Sequence, residues 1–264
     1  MDNKKFEKLI DLIINENEEQ ASELFHDIVI EKSKAIYESI MEDECDPKYN
    51  ITGKMKVTQE VWNEFLIILN TNHIVIPKFP IWTDWWDSDG NNTSVTKYNK
   101  KLTDEENKSS ILQAQIEFYK KYKNWIDKNR TFYQVNKEIL DPWLHKSRNQ
   151  PLWLGAVRKM EWQTGTDNLT MNEVLWSPRG SGVRIKNINY SPTLVAMASM
   201  IPIIGHKKRY LTPRECARLQ SFPEDFKIDP EDNKAYKQFG NSVNCDNVKT
   251  VIKATFDHYG IKYF

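Results

Sequence analysis

Residues 209–223 read RYLTPRECARLQSFP, and residues 236–243 read YKQFGNSV. In the first string Thr212 is a strong helix N-cap and Pro213 suits the first helical position. Glu215 stands three residues after Thr212 and completes a capping box. Ala217 and Leu219 follow, and Ser221-Phe222-Pro223 ends the helix. Arg214 and Arg218 fall at i, i+4 on one face. In the second string Gly240 and Asn241 are expected in a turn that opens a final helix over residues 247–259. Backbone N–H groups at such a helix start can hold the polar edge of a ligand.

The chain has 264 residues, enough for one large domain or two small ones. With 39% apolar and 28% charged residues it is neither disordered nor membranous in composition. No apolar run approaches the ~20 residues a membrane helix needs, and the N-terminus lacks a cleavable signal pattern. Cys45, Cys216 and Cys245 are few and odd in number, which suits reduced thiols in a cytoplasmic setting. His26, His73, His145, His206 and His258 are scattered, so no metal is expected. Lysines and arginines equal acids overall, 37 to 37, yet residues 1–46 hold 14 acids against five lysines. The remainder is correspondingly basic and compatible with a polyanion.

Outward from the C-terminal strings, the chain divides into three parts. Residues 1–46 read as an acidic helical pair. Phe6, Leu9, Ile10 and Ile13 recur at helical spacing, Asn15-Glu16-Asn17 interrupts, and a second pattern runs from Ala21 to Ile40. Residues 54–208 hold a helix over 57–69, a proline-punctuated aromatic stretch at 74–86 and a helix over 111–128. Short β-like runs follow at 153–157, 173–176 and 182–185. Trp82, Trp85 and Trp86 are expected in the core. Residues 209–264 carry the two strings already described.

LTPRECARLQ-S-FP followed by YKQFGNSV, in this order and separation, closely resembles the last two conserved blocks of the DNA (cytosine-5)-methyltransferases. GSGVRIK at 180–186, YSPTLVAM at 190–197, EWQTG at 161–165 and the stretch 62–87 extend the likeness to bacterial and phage enzymes of restriction–modification type. The resemblance covers roughly 55–264. Within the N-terminal part, ELFHDIVIEKSKAIYESI (23–40) resembles a helical segment of phage prohead core proteins.

The resemblance implies that 54–208 contains a target recognition domain that reads duplex DNA in the major groove while the target cytosine is rotated out. Arg158, Lys159, Arg179, Arg184 and Lys186, placed near glycines, supply the donors such a domain uses. Lysines at 120–123 and Lys207-Lys208 are candidates for phosphate contact. It further implies that Asn241 and Ser242 lie on the S-adenosylmethionine side. Thr212, Arg214, Glu215 and Arg218 would form a helix bracing the recognition domain, with Gly240 in the second block.

Carbon-5 methylation requires a thiolate that attacks carbon 6, an acid at the ring nitrogen and a loop for the methyl donor. The family carries these as Pro-Cys, Glu-Asn-Val and Phe-x-Gly-x-Gly. None occurs in this sequence, in which Cys45 follows Glu44, Cys216 follows Glu215 and Cys245 follows Asn244. No catalytic residue is therefore assigned, and Cys216 reads as structural. The expected fold is α+β. An N-terminal helical hairpin precedes a mixed α/β recognition domain, and C-terminal helices would complete a Rossmann-like domain missing from this chain, leaving Val248 and Val251 exposed. The expected function is the recognition part of a cytosine-5 methyltransferase acting on double-stranded DNA. Its catalytic half would be a separate subunit, or would be lost through fragmentation or degeneration, and an isolated chain would be inactive. The alternative is a non-catalytic DNA-binding or phage assembly protein with a methyltransferase relic.

Overall fold

The computed structural model describes residues 3–15, 17–25, 27–28, 46–86, 104–166 and 168–261. Most of the prohead-like stretch at 23–40, and part of the polar region after Trp86, lie outside them. The chain forms two compact units. One comprises 51–185 with 203–209, and the other 1–50, 186–202 and 210–264. Residues 186–202 join the unit that holds the C-terminal helices.

The first unit is built around helix α2 (Gly53–Thr71), longer at both ends than the apolar spacing suggested. Its Trp62, Phe65, Leu66 and Leu69 are wholly buried. Strand β1 (Ile81–Trp82) follows, then helices α3 (Asp104–Val135) and α4 (Lys137–Arg148). Helix α3 thus overruns the expected 111–128 at both ends. Strands β2 (Lys159–Gln163), β3 (Val174–Arg179), β4 (Gly182–Asn187), β5 (Ile203–Ile204) and β6 (Arg209–Tyr210) complete a sheet of order β1-β2-β4-β3-β5-β6. The expected strand at 153–157 is instead a 3₁₀ turn over Gly155–Arg158. A positive φ of 70° at Gly155 bends the chain where a strand would stay extended.

Tryptophans fill this unit. Trp62 lies 5.8 Å from both Trp143 and Trp153, ring centre to ring centre, and Trp86 stacks on Tyr133 at 5.2 Å. Some indole N–H groups find acceptors inside: Trp62 donates to the Val157 carbonyl at 2.8 Å and Trp143 to that of Val61 at 3.1 Å, whereas those of Trp82, Trp153 and Trp176 are buried and meet no acceptor among the described residues. Asn129 on α3, fully buried, accepts from the Trp82 amide and the Trp86 indole and donates to the Pro80 and Trp125 carbonyls. A buried amide satisfied on both sides fixes the 80–86 turn against α3. Trp85 and Trp86 are buried as expected, while Trp82 is half-buried.

In the second unit, helix α1 (Asn3–Ile14) and helical residues 18–25 and 27–28 form a small apolar cluster of Leu9, Ala21 and Ile28. The C-terminal part holds three helices where two were expected: α5 (Pro213–Leu219), α6 (Asp232–Asn241) and α7 (Cys245–His258). Lys48 and Tyr49 tie the N-terminal residues to α6, both reaching the Asp232 carboxylate, at 2.8 and 3.2 Å. This acidic segment and the C-terminal helices therefore share one unit. Among the described residues, no helix is long and apolar enough to cross a membrane.

Candidate functional site

Helix α5 is locked at its start by the capping box. The Thr212 hydroxyl accepts from the Glu215 amide at 3.1 Å, and the Glu215 carboxylate accepts from the Thr212 amide at 2.7 Å. Glu215 is entirely buried, so the pair also satisfies polar groups that water does not reach. Cys216 is buried, and desolvation, with the nearby Glu215 charge, pushes its thiol far above the ordinary range. A thiol so held is not a nucleophile at neutral pH. Arg214 donates to the Pro223 and Phe226 carbonyls, and Arg218 forms a forked pair with Glu224 at 2.8 and 3.0 Å. These bonds staple the 223–226 turn to their own helix.

Gly240 and Asn241 do not open the last helix; they form the last turn of α6. The reason is packing. A β-carbon on Gly240 would overlap the Val195 carbonyl and the Ala196 amide, so glycine lets the 195–196 backbone cross α6 directly. Ser242 caps that helix, its amide and hydroxyl both donating to the Phe239 carbonyl. The side chain of Asn241 is exposed. The break comes at 242–244, where the Asn244 side-chain oxygen Oδ1 accepts from the Asn247 amide and caps the start of α7. Asn244 also donates to the Leu219 carbonyl and the Ser221 hydroxyl, joining the two sequence blocks.

Helix α7 has no buried residue. Val248 and Val251 are exposed as expected, at 41% and 66%, together with Ile252. Val243, Cys245, Val248, Ile252 and Phe256 line an open apolar groove of about 480 Å³, flanked by Lys249 and Lys253. An apolar stripe left in water along a whole helix marks an uncovered surface.

The second candidate region is the sheet of the first unit. On β2, Met160 and Trp162 are buried, and Lys159 and Glu161 occupy the alternate positions. On β4, Val183 and Ile185 are buried while Arg184 is exposed. Glu161 joins the two strands, with one carboxylate oxygen 3.3 Å from Lys159 Nζ and the other 3.3 Å from Arg184 Nε. The Lys159 ammonium lies 4.2 Å from the centre of the Trp82 ring, and burial lowers its pKa. Gly182 admits this packing, since a β-carbon there would press on the Lys159 stem. Arg179 is half-buried, its pKa lowered by desolvation and by the Arg184 charge. Lys186 is half-buried at the end of β4.

Of the five expected DNA-contacting residues, Lys159, Arg179 and Arg184 are therefore brought together. Arg158 is placed apart. It donates to the Trp153 carbonyl at 2.7 Å, pairs with Asp84 at 3.2 Å and lies over the Trp153 ring. These bonds brace the 153–158 turn against the 83–85 turn. Sequence reading missed Glu161, which sits in the EWQTG block but gives no local sign that two cations converge on it. Among the described residues, no cluster of His, Cys, Asp and Glu could hold a metal.

A family model described as C-5 cytosine-specific DNA methylase matches residues 67–257, well over half of the chain. The type II methyltransferase M.AluI of Cellulosimicrobium cellulans is 40% identical over 103 residues, covering 39% of this chain and 19% of that protein. M.HgiCI of Herpetosiphon aurantiacus, also a type II methyltransferase, is 58% identical over 68 residues, 25% of this chain and 16% of its own length. The type II methyltransferase M.BanI of Aneurinibacillus aneurinilyticus is 56% identical over 50 residues, 19% and 12%. Each match spans less than a fifth of the relative. No solved structure matches the chain.

Proposed function

The chain belongs to the C-5 cytosine-specific DNA methylase family, and on that premise we propose that it supplies target recognition and the C-terminal helices, with the reacting groups held by another polypeptide segment. The observation that carries this reading is α7, a helix that begins on a bond network shared by both C-terminal blocks yet buries none of its own residues. Its apolar groove needs a partner surface of the same character, and the rest of a methylase domain is the occupant that family membership supplies.

In this reading the sheet face with Lys159, Arg179 and Arg184 meets double-stranded DNA. Positive charge at this face favours approach to the phosphate backbone, and the arginine donors match base edges. At the other site Asn241 offers an exposed amide toward S-adenosylmethionine, with Ser242 fixing the end of α6 beside it. That cofactor supplies the methyl group. In this reading the nucleophile lies outside this sequence, for none of Cys45, Cys216 and Cys245 follows a proline, and Cys216 is buried with its thiol held protonated.

The test is transfer of labelled methyl groups from S-adenosylmethionine to duplex DNA. We expect none from this chain alone, and transfer once a polypeptide carrying Pro-Cys and Phe-x-Gly-x-Gly elements of the same family is added. Transfer by the chain alone would overturn the division of labour.

A further inference from the structure

Three cations and one carboxylate share the outward face of β2, β3 and β4. Glu161 and Lys159 are nearly covered, with side chains 14% and 15% exposed, whereas Arg184 is 45% exposed. The carboxylate stands 3.3 Å from Arg184 Nε as an ion pair. A guanidinium is planar, so an anion paired beside Nε favours poses that leave its other edge, the Nη1 and Nη2 fork of donors, facing away from the sheet. Lys159 is held between Glu161 and the Trp82 ring and has little freedom to follow a ligand. Arg184 is thus a charged side chain exposed at its tip and paired at its neck.

We propose that Glu161 is a positioning residue that aims the Nη1–Nη2 edge of Arg184 at a guanine, making Arg184 a specificity-determining contact of the recognition face. This rests on the reading that the face binds duplex DNA. The chemistry recognised is a pair of adjacent acceptors, which a guanine edge (O6 and N7) and a phosphate both present. One feature favours the guanine. The Glu161 carboxylate lies beside the contact point, where it repels a phosphodiester anion but not a neutral base.

The experiment selects bound sequences from a randomised duplex pool with the whole chain. Wild type is compared with Arg184→Ala, Glu161→Gln and Glu161→Asp, and the salt dependence of affinity is measured for each. The exposure of Arg184 and the near-identical shape of Gln keep the fold, which thermal melting checks. The expected result is one guanine position whose preference drops roughly tenfold or more in Arg184→Ala. The same position weakens in Glu161→Gln and is partly restored in Glu161→Asp, with the salt slope of Glu161→Gln unchanged. A uniform loss across sequences in Arg184→Ala, with a salt slope shallower by about one phosphate, would overturn the proposal in favour of a backbone contact. Base preference untouched by any variant would overturn it while leaving DNA recognition standing. Absence of duplex binding by wild type would overturn both.

Discussion

All nine tryptophans lie between residues 62 and 176, inside the sheet unit, and the unit with the C-terminal helices has none. The first unit closes its core with interlocked indoles. The second leaves α7 without a buried residue and an apolar groove open along it. A finished core and an uncovered helix within one chain point to different duties. The sheet unit buries its apolar side chains, and α7 leaves its own exposed.

The comparison breaks most readily in the sheet unit. Trp62→Ala removes a wholly buried indole and its bond to Val157, and is expected to cost about 4 kcal/mol. Urea unfolding followed by tryptophan fluorescence, which reports that unit alone, measures the loss. Gly240→Ala tests the other unit. Its β-carbon overlaps the 195–196 backbone, so a loss of about 2 kcal/mol is expected in helix melting by circular dichroism. Tryptophan fluorescence should change little, since no tryptophan belongs to that unit.

Val251→Lys sharpens the contrast. On a helix that is already solvated it should shift stability by no more than about 0.5 kcal/mol, yet it should abolish methyl transfer in the complemented assay. A large loss of stability in the chain alone would show that α7 is covered. The smallest effect concerns pH. Burial, with Lys207 and Arg209 nearby, lowers the pKa of His206 below its ordinary 6.5. The unfolded chain then takes up that proton more readily than the folded one, so stability falls as pH drops below about 6.5. His206→Gln should flatten that slope slightly between pH 7 and 5 in urea titrations.

What sequence showed and what it hid follow from how far apart the interacting residues are. The capping box at Thr212 and Glu215 is legible because its partners are three residues apart. The apolar spacing of 57–69 marks a helix for the same reason, and short runs at 173–176 and 182–185 become strands. Gly240 is different. It reads as a turn glycine, but its need for hydrogen at Cα comes from Val195, forty-five residues earlier, and the helix continues through it. Arg158 reads as a surface donor until Asp84 and Trp153 are seen to bind it. Asn129 gives no sign in its own helix that four bonds to the 80–86 turn and α3 converge on it. The grouping of Lys159, Arg179 and Arg184 was foreseeable from composition near glycines, but the carboxylate that orders it required the pairing of β2 with β4.

Amide hydrogen exchange over residues 245–258 tests the division between the two duties most directly. In the chain alone the account predicts fast exchange along α7, and strong protection of the same amides when the complementary methylase polypeptide is added. Protection already present in the isolated chain, or none gained with the partner, would contradict it.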